Sequence, residues 1–220
     1  MRRTFAVIVA QGMLAILSAW QGAEAAFFGF SRGVVVHQQH QLRLDVPALA
    51  PFGHTRFCLQ HPEECTRTMR RVTFRGGDIR LTPARWADLL AVNADVNFSI
   101  APERNMGGIL TEKWVLSPQS GDCNDYAVTK RHALLARGWP SRSLLLAEVV
   151  TKWGEHHLVL VVRTRDGDLV LDNIDASIRP WKQTGYRWVR IQTPQDPRLW
   201  ASVSVNDGIV ALAGAKAGAN

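Results

Sequence analysis

Cys123, His157 and Asp172 are the residues of this 220-residue chain whose types and order suit covalent chemistry. Cys123 stands in GDCNDYAVTKRHALLARGWP, His156 and His157 open HHLVLVVR, and Asp172 closes DLVLD. A cysteine attacks as its thiolate, so it needs a base to take its proton. The base works best when a third group fixes its orientation. A thiol followed downstream by an imidazole and then a carboxylate supplies those parts in one chain. Without Cys123, His157 and Asp172 would read as two ordinary polar residues at strand ends.

The elements that must position these groups are legible. Residues 122–137 are expected to form a helix, stopped by Gly138 and Pro140. Cys123 then lies in its first turn, where free N–H groups and the positive end of the dipole are expected to lower the thiol pKa. The same N–H groups suit a developing oxyanion. A structural cysteine more often sits mid-helix on the apolar stripe, beside residues such as Leu134.

After this helix, LLLAEVV, HLVLVVR and DLVLDN are rich in β-formers, and the last two are joined by Thr164-Arg165-Asp166-Gly167. A four-residue loop with Arg163 opposite Asp168 puts Val159 opposite Asp172 and His157 diagonal to it on the same face. Diagonal neighbours lie about 7–8 Å apart, within reach of the two side chains. Strand alternation turns His156 to the other face.

Upstream the signals are weaker. FSRGVVVHQQHQLRLD suits short strands, PALAPFG reads as a loop, and residues up to 80 read as irregular. Thr82 and Pro83 then begin a helix with Trp86, Leu89, Leu90 and Val96 at helical spacing, and it faces the core. Residues 100–120, with Pro102, Gly107, Gly108 and Pro118, are expected to be a long surface loop that shapes a groove.

Composition sets the setting. With 46% hydrophobic and 20% charged residues and a mean hydropathy of −0.08, this is a globular chain of one expected domain, not a disordered or polytopic one. The formal charge is +7, but the basic residues are dispersed and carry no nucleic-acid motif, so nucleic acid is not an expected partner. Residues 1–25 have the layout of a secretory signal: Arg2 and Arg3, an apolar run from Phe5 to Trp20, and Ala23-Glu24-Ala25 as a small-x-small site. Cleavage after Ala25 or Ala26 leaves a domain of 26–220 in a periplasmic or secreted setting, with 24 basic and 18 acidic residues. The apolar run is interrupted by Gln11 and Gly12 and falls short of a span, so no membrane insertion is expected once the signal is removed.

In an oxidising compartment Cys58 and Cys65, close together in RFCLQHPEEC, are natural disulfide partners, which leaves Cys123 as the odd thiol. A zinc site from Cys58, Cys65, His54 and His61 matches no closed tetrahedral spacing.

Taken together, GDCNDYAVTKRHALLARGWP, HLVLVVRTRDGDLVLDN, APFGHTRFCLQHPEEC, Trp114 and GYRWVRIQTPQDPRLWASV resemble the bacterial transglutaminase-like cysteine peptidase family over nearly all of the mature chain. The resemblance implies an α+β fold of papain or transglutaminase type, with the catalytic cysteine at a helix N-terminus packed on an antiparallel sheet that carries the histidine and aspartate. It implies Cys123 as nucleophile, His157 as base, Asp172 as orienter, and a protein substrate. Members that control biofilms cleave a surface adhesin in the periplasm and need calcium bound by acidic residues beside the cysteine. This makes Asp122 and Asp125 candidate calcium ligands. The residue after the cysteine, commonly Glu, is here the neutral Asn124, and helix capping accounts equally well for both aspartates. Hydrolysis of a peptide bond is the expected reaction; acyl transfer to an amine and a catalytically silent binding module are the alternatives.

Overall fold

LLLAEVV is apolar on both sides because it is the middle strand of a seven-stranded sheet whose two faces are covered. The computed structural model describes residues 41–66, 78–104, 108 and 111–204. The N-terminal segment read as a secretory signal, and the part of the expected strand region before residue 41, lie outside the described residues. Those residues all belong to one compact unit, 37–220.

In chain order the elements are β1 (Arg43–Ala48), α1 (Phe52–Gln60), α2 (Pro83–Ser99), β2 (Ala101–Pro102), β3 (Ser120–Gly121), α3 (Cys123–Ala136), β4 (Leu144–Val150), β5 (His156–Thr164), β6 (Gly167–Leu171), β7 (Arg179–Pro180), β8 (Arg187–Gln192) and β9 (Trp200–Ser204). The large sheet runs β1-β9-β8-β4-β5-β6-β7, and every neighbouring pair in it is antiparallel. The fold is therefore α+β. Leu144, Leu146, Leu158, Leu160 and Val162 point to one face and pack with Leu89, Val92 and Val96 of α2 and with Ala127, Val128 and Leu134 of α3. Leu145, Ala147, Val149, Val159 and Val161 form a second cluster with Trp188 and Ile191.

Both long helices have the expected ends. The Thr82 side chain accepts from Arg85 N–H at 3.3 Å with Pro83 at the first helical position, and Leu89, Val92, Asn93 and Val96 are the buried stripe of α2. At the end of α3, Trp139 N–H donates to Leu134 O and Gly138 N–H to Leu135 O. This is a Schellman arrangement that needs Gly138 at a φ of 82°.

The region read as irregular contains a helix, α1, which corrects that expectation. Its packing explains why: His54 and Phe57 are buried, the His54 ring lies against Trp114 and Trp200, and a Cβ at Gly53 would collide with the Trp114 indole. These contacts come from residues 60 to 146 positions away, so no local periodicity announces the helix. Cys58 and Cys65 form a disulfide with a Cα–Cα separation of 5.5 Å. That loop is tied to α3 by Glu64, whose buried carboxylate meets Arg131 at 3.2 Å and His132 at 2.5 Å.

Candidate active site

The β5–β6 hairpin sets the first part of the site. Arg163 opposes Asp168, in the register expected, but Thr164 also pairs with Gly167. The four-residue loop is thus tightened to a two-residue turn at Arg165-Asp166 without any shift of register. Gly167 supports the turn at a φ of 133°. His157, opposite Val149 of β4, and Asp172, the first residue past β6, share a face. His157 Nε2 and Asp172 Oδ1 are 2.8 Å apart, and both side chains are 4% exposed. His156 is exposed and bonds Glu148 at 2.7 Å instead.

Asp172 holds more than the imidazole. Its Oδ1 also accepts from Ile174 N–H at 3.0 Å, its Oδ2 accepts from the Tyr186 hydroxyl, and its main-chain carbonyl accepts from Asn97 Nδ2 at 2.9 Å. Burial works to raise this carboxyl, yet the hydrogen bonds from His157, Tyr186 and Ile174 outweigh it and keep Asp172 below the usual carboxylate range. Sequence reasoning missed Tyr186: a single tyrosine in a strand region carries no spacing signal.

The second part is the start of α3. Asp122 is the N-cap: its Oδ1 accepts from Asn124 N–H at 2.9 Å, while Asp125 Oδ2 accepts from Asp122 N–H at 3.0 Å and Asp125 Oδ1 from Val115 N–H at 2.7 Å. This is a capping box. Gly121 is required beside it, since a Cβ there would strike the Asp125 carboxylate. Cys123, the free cysteine, follows directly, with the Leu158 N–H facing it.

Burial and neighbouring charge work against the acidic thiol expected from the helix start. Burial pushes Cys123 up to about 12, the carboxylates of Asp122, Glu112 and Asp172 push the same way, and the Leu158 N–H opposes them. The dipole argument fails because the opening turn is itself covered and ringed by acidic groups. Asp125 is likewise raised to about 6, first by burial and then by Asp122 and Glu112, against the two N–H donors.

Cys123 and His157 open into one cleft of about 970 Å³, whose walls include Phe52, Glu112, Trp114 and Ile174. The long loop before α3 does shape this groove, and its ends are pinned by the parallel pairing of β2 with β3. Beneath the site, Lys130 on α3 is 1% exposed and its Nζ has no hydrogen-bond partner among the described residues. Burial lowers this amine to about 7 against the pull of Asp172.

The acidic residues beside Cys123 form the cap of α3 in this structure. Calcium collects six to eight oxygens; here each oxygen of Asp125 accepts one main-chain N–H and Asp122 Oδ1 accepts another. Asn124 turns its amide nitrogen to Glu112 at 2.6 Å. Among the described residues, the group of acidic, histidine and cysteine ligand atoms close enough to share an ion is His54, Cys58 and Cys65, away from Asp122 and Asp125. Its two sulfurs are already joined to each other.

The sequence pattern of the bacterial transglutaminase-like cysteine proteinase family (BTLCP) matches residues 45–208, so the chain belongs to that family and is a cysteine peptidase. It is similar in structure to LapG of Legionella pneumophila, with 24% identity over 53% of this chain and 68% of that one and a TM-score of 0.45. For a calcium-bound form of the same protein the values are 22%, 56%, 71% and 0.47, and for an EGTA-treated form 24%, 53%, 66% and 0.45. No protein of curated function matches the chain in sequence.

Proposed function

We propose that this protein is a periplasmic cysteine peptidase that hydrolyses a peptide bond in an envelope or surface protein, with Cys123 as nucleophile, His157 as base and acid, and Asp172 as orienter. The observation that carries the reading is the bonded His157–Asp172 pair, whose imidazole lines the same cleft as the Cys123 thiol. An ionised Asp172 accepts only, so His157 Nε2 carries a hydrogen and Nδ1 is the nitrogen left to receive the thiol proton.

With the thiol pushed up to about 12, proton transfer to His157 accompanies attack; no standing thiolate precedes it. Sulfur bonds the scissile carbonyl carbon, and the N–H of Cys123 at the helix start is a donor for the resulting oxyanion. Collapse of the tetrahedral adduct breaks the C–N bond as His157 gives its proton to the leaving amine, leaving a thioester. Water then loses a proton to His157 and attacks the thioester, releasing the acid and restoring the thiol. A transfer enzyme would send the same thioester to an amine. Asp122 and Asp125 serve as the helix cap in this reading, and calcium has no step.

The periplasmic setting rests on the signal-like residues 1–25. Among the described residues, no helix is long and apolar enough to cross a membrane. The test is to incubate an envelope-protein fraction with the mature enzyme in ¹⁸O-water and identify new termini by mass spectrometry. New termini carrying ¹⁸O that are absent with Cys123→Ala are expected. Identical termini with Cys123→Ala sink the proposal, and unlabelled amide-linked products favour transfer.

A further inference from the structure

Tyr186 occupies a position that the three-residue account leaves unused. It enters the sheet one residue before β8 and reaches back to the loop after β6, where its hydroxyl donates to Asp172 Oδ2. Its ring stands edge-on to the His157 imidazole, with centroids 5.8 Å apart and planes at 64°. One side chain therefore touches both members of the buried pair. Asp172 Oδ1 is shared between His157 and Ile174 N–H, so among the described residues the phenol is the group that satisfies the buried Oδ2.

Two degrees of freedom follow from that arrangement. The carboxylate can rotate about its Cβ–Cγ bond, exchanging the oxygen offered to the imidazole, and the imidazole can turn over, exchanging Nδ1 for carbon at the cleft. The phenol hydroxyl opposes the first and the ring edge opposes the second.

We propose that Tyr186 is a positioning residue of the catalytic centre, holding the Asp172 carboxylate through its hydroxyl and the His157 imidazole through its ring, so that Nδ1 is kept for the thiol. The inference rests on the assignment of His157 and Asp172 made above.

The two contacts separate in two variants. Tyr186→Phe keeps the ring and removes the hydroxyl; Tyr186→Leu removes both. The readout is ¹⁵N-histidine NMR of the whole protein, which reports the tautomer of His157 and the exchange of its Nε2–H with water, and which needs no substrate. The wild type is expected to show a slowly exchanging Nε2–H tautomer that is lost in Asp172→Asn. In Tyr186→Phe the same tautomer is expected with exchange about tenfold faster, as loss of a charge-assisted hydrogen bond allows. In Tyr186→Leu a mixture of the two tautomers is expected. Folding is followed in parallel by the remaining histidine resonances, which stay in place if the effect is local. If His157 in the wild type is not the Nε2–H tautomer, the assignment of the pair fails. If it is, and both Tyr186 variants keep wild-type tautomer and exchange, the role of Tyr186 is overturned while the pair stands.

Discussion

The main-chain N–H of Leu158 faces the sulfur of Cys123 and works to lower its pKa. β6 ends at Leu171, whose partner on β5 is Leu160, so the two residues before Leu160 on that edge have no ladder partner in β6. The first turn of α3 takes up one of those free positions. A helix that packs on the sheet through Ala127, Val128 and Leu134 thereby brings its opening cysteine beside the residue that carries the proposed base. The strand register and the nucleophile position are one geometric fact.

Strand parity separates two adjacent histidines, and kinetics will show it. His157→Ala is expected to lower turnover by about 10²–10⁴-fold, because it removes the group that accepts the thiol proton and protonates the leaving amine. His156→Ala, which loses a surface contact to Glu148, is expected to stay near wild type. Asp172→Asn should fall between. A dead His156→Ala with an active His157→Ala would overturn the assignment.

The resting thiol is predicted to be sluggish. With Cys123 pushed up to about 12, thiolate is scarce at pH 7, and each unit by which a pKa exceeds the pH lowers the ionised fraction about tenfold. Iodoacetamide should alkylate Cys123 at pH 7 at least about tenfold more slowly than free cysteine, with the rate still rising at alkaline pH. Alkylation faster than free cysteine at pH 7 would show a preformed thiolate–imidazolium pair in place of a protonated thiol.

His54 is expected to shape acid stability. Burial, with help from Arg131, lowers it to about 3 from an ordinary 6.5, and it bonds Gln192 Nε2 at 3.0 Å and Trp200 Nε1 at 3.3 Å. Between those two values the unfolded chain holds a proton that the folded chain lacks. The contribution is therefore present above pH 6.5 and is lost as pH falls toward 3, at up to about 1.4 kcal/mol per pH unit. Urea unfolding of wild type and His54→Gln across pH 4–8 checks this. The difference between them should narrow or reverse on acidification, and a pH-independent difference refutes it.

Lys130→Met should raise stability. The wild-type amine is buried with no hydrogen-bond partner among the described residues, a state that costs about 1–3 kcal/mol, and Met fills similar space without it. The amine is lowered to about 7 from 10.5, so the wild type recovers stability as pH rises from 7 to 10.5. The advantage of Lys130→Met, read from denaturant midpoints, is expected to be largest below pH 7 and to shrink above it. A destabilised variant at pH 6 would mean that the amine has a partner in solution.

Asp125→Asn tests the cap against the metal. Both Asp125 oxygens accept N–H groups, and an amide leaves one of those donors facing NH₂, so a loss of about 1–3 kcal/mol is expected. The wild-type melting temperature should not differ between millimolar calcium and EGTA. A rise with calcium that Asp125→Asn abolishes would establish a calcium site at the start of α3.

The chemistry-bearing positions were readable because each is tied to a short-range signal. Asp122 before Cys123 and Gly138 after the last turn bracket a helix, and the Thr164–Gly167 turn with alternating Val and Leu determines which histidine shares a face with Asp172. What tertiary structure decided is whatever depends on burial by distant residues. α1 forms because His54 and Phe57 dock on Trp114 and Trp200, Tyr186 becomes a partner of Asp172 only when the β8 region lies alongside the β5–β6 hairpin, and Lys130 is hidden by its neighbours despite being charged. The thiol is the clearest case: the helix start argues for an acidic cysteine, but desolvation and the carboxylates of Glu112 and Asp172, brought near only by the fold, join the adjacent Asp122 in pushing it the other way.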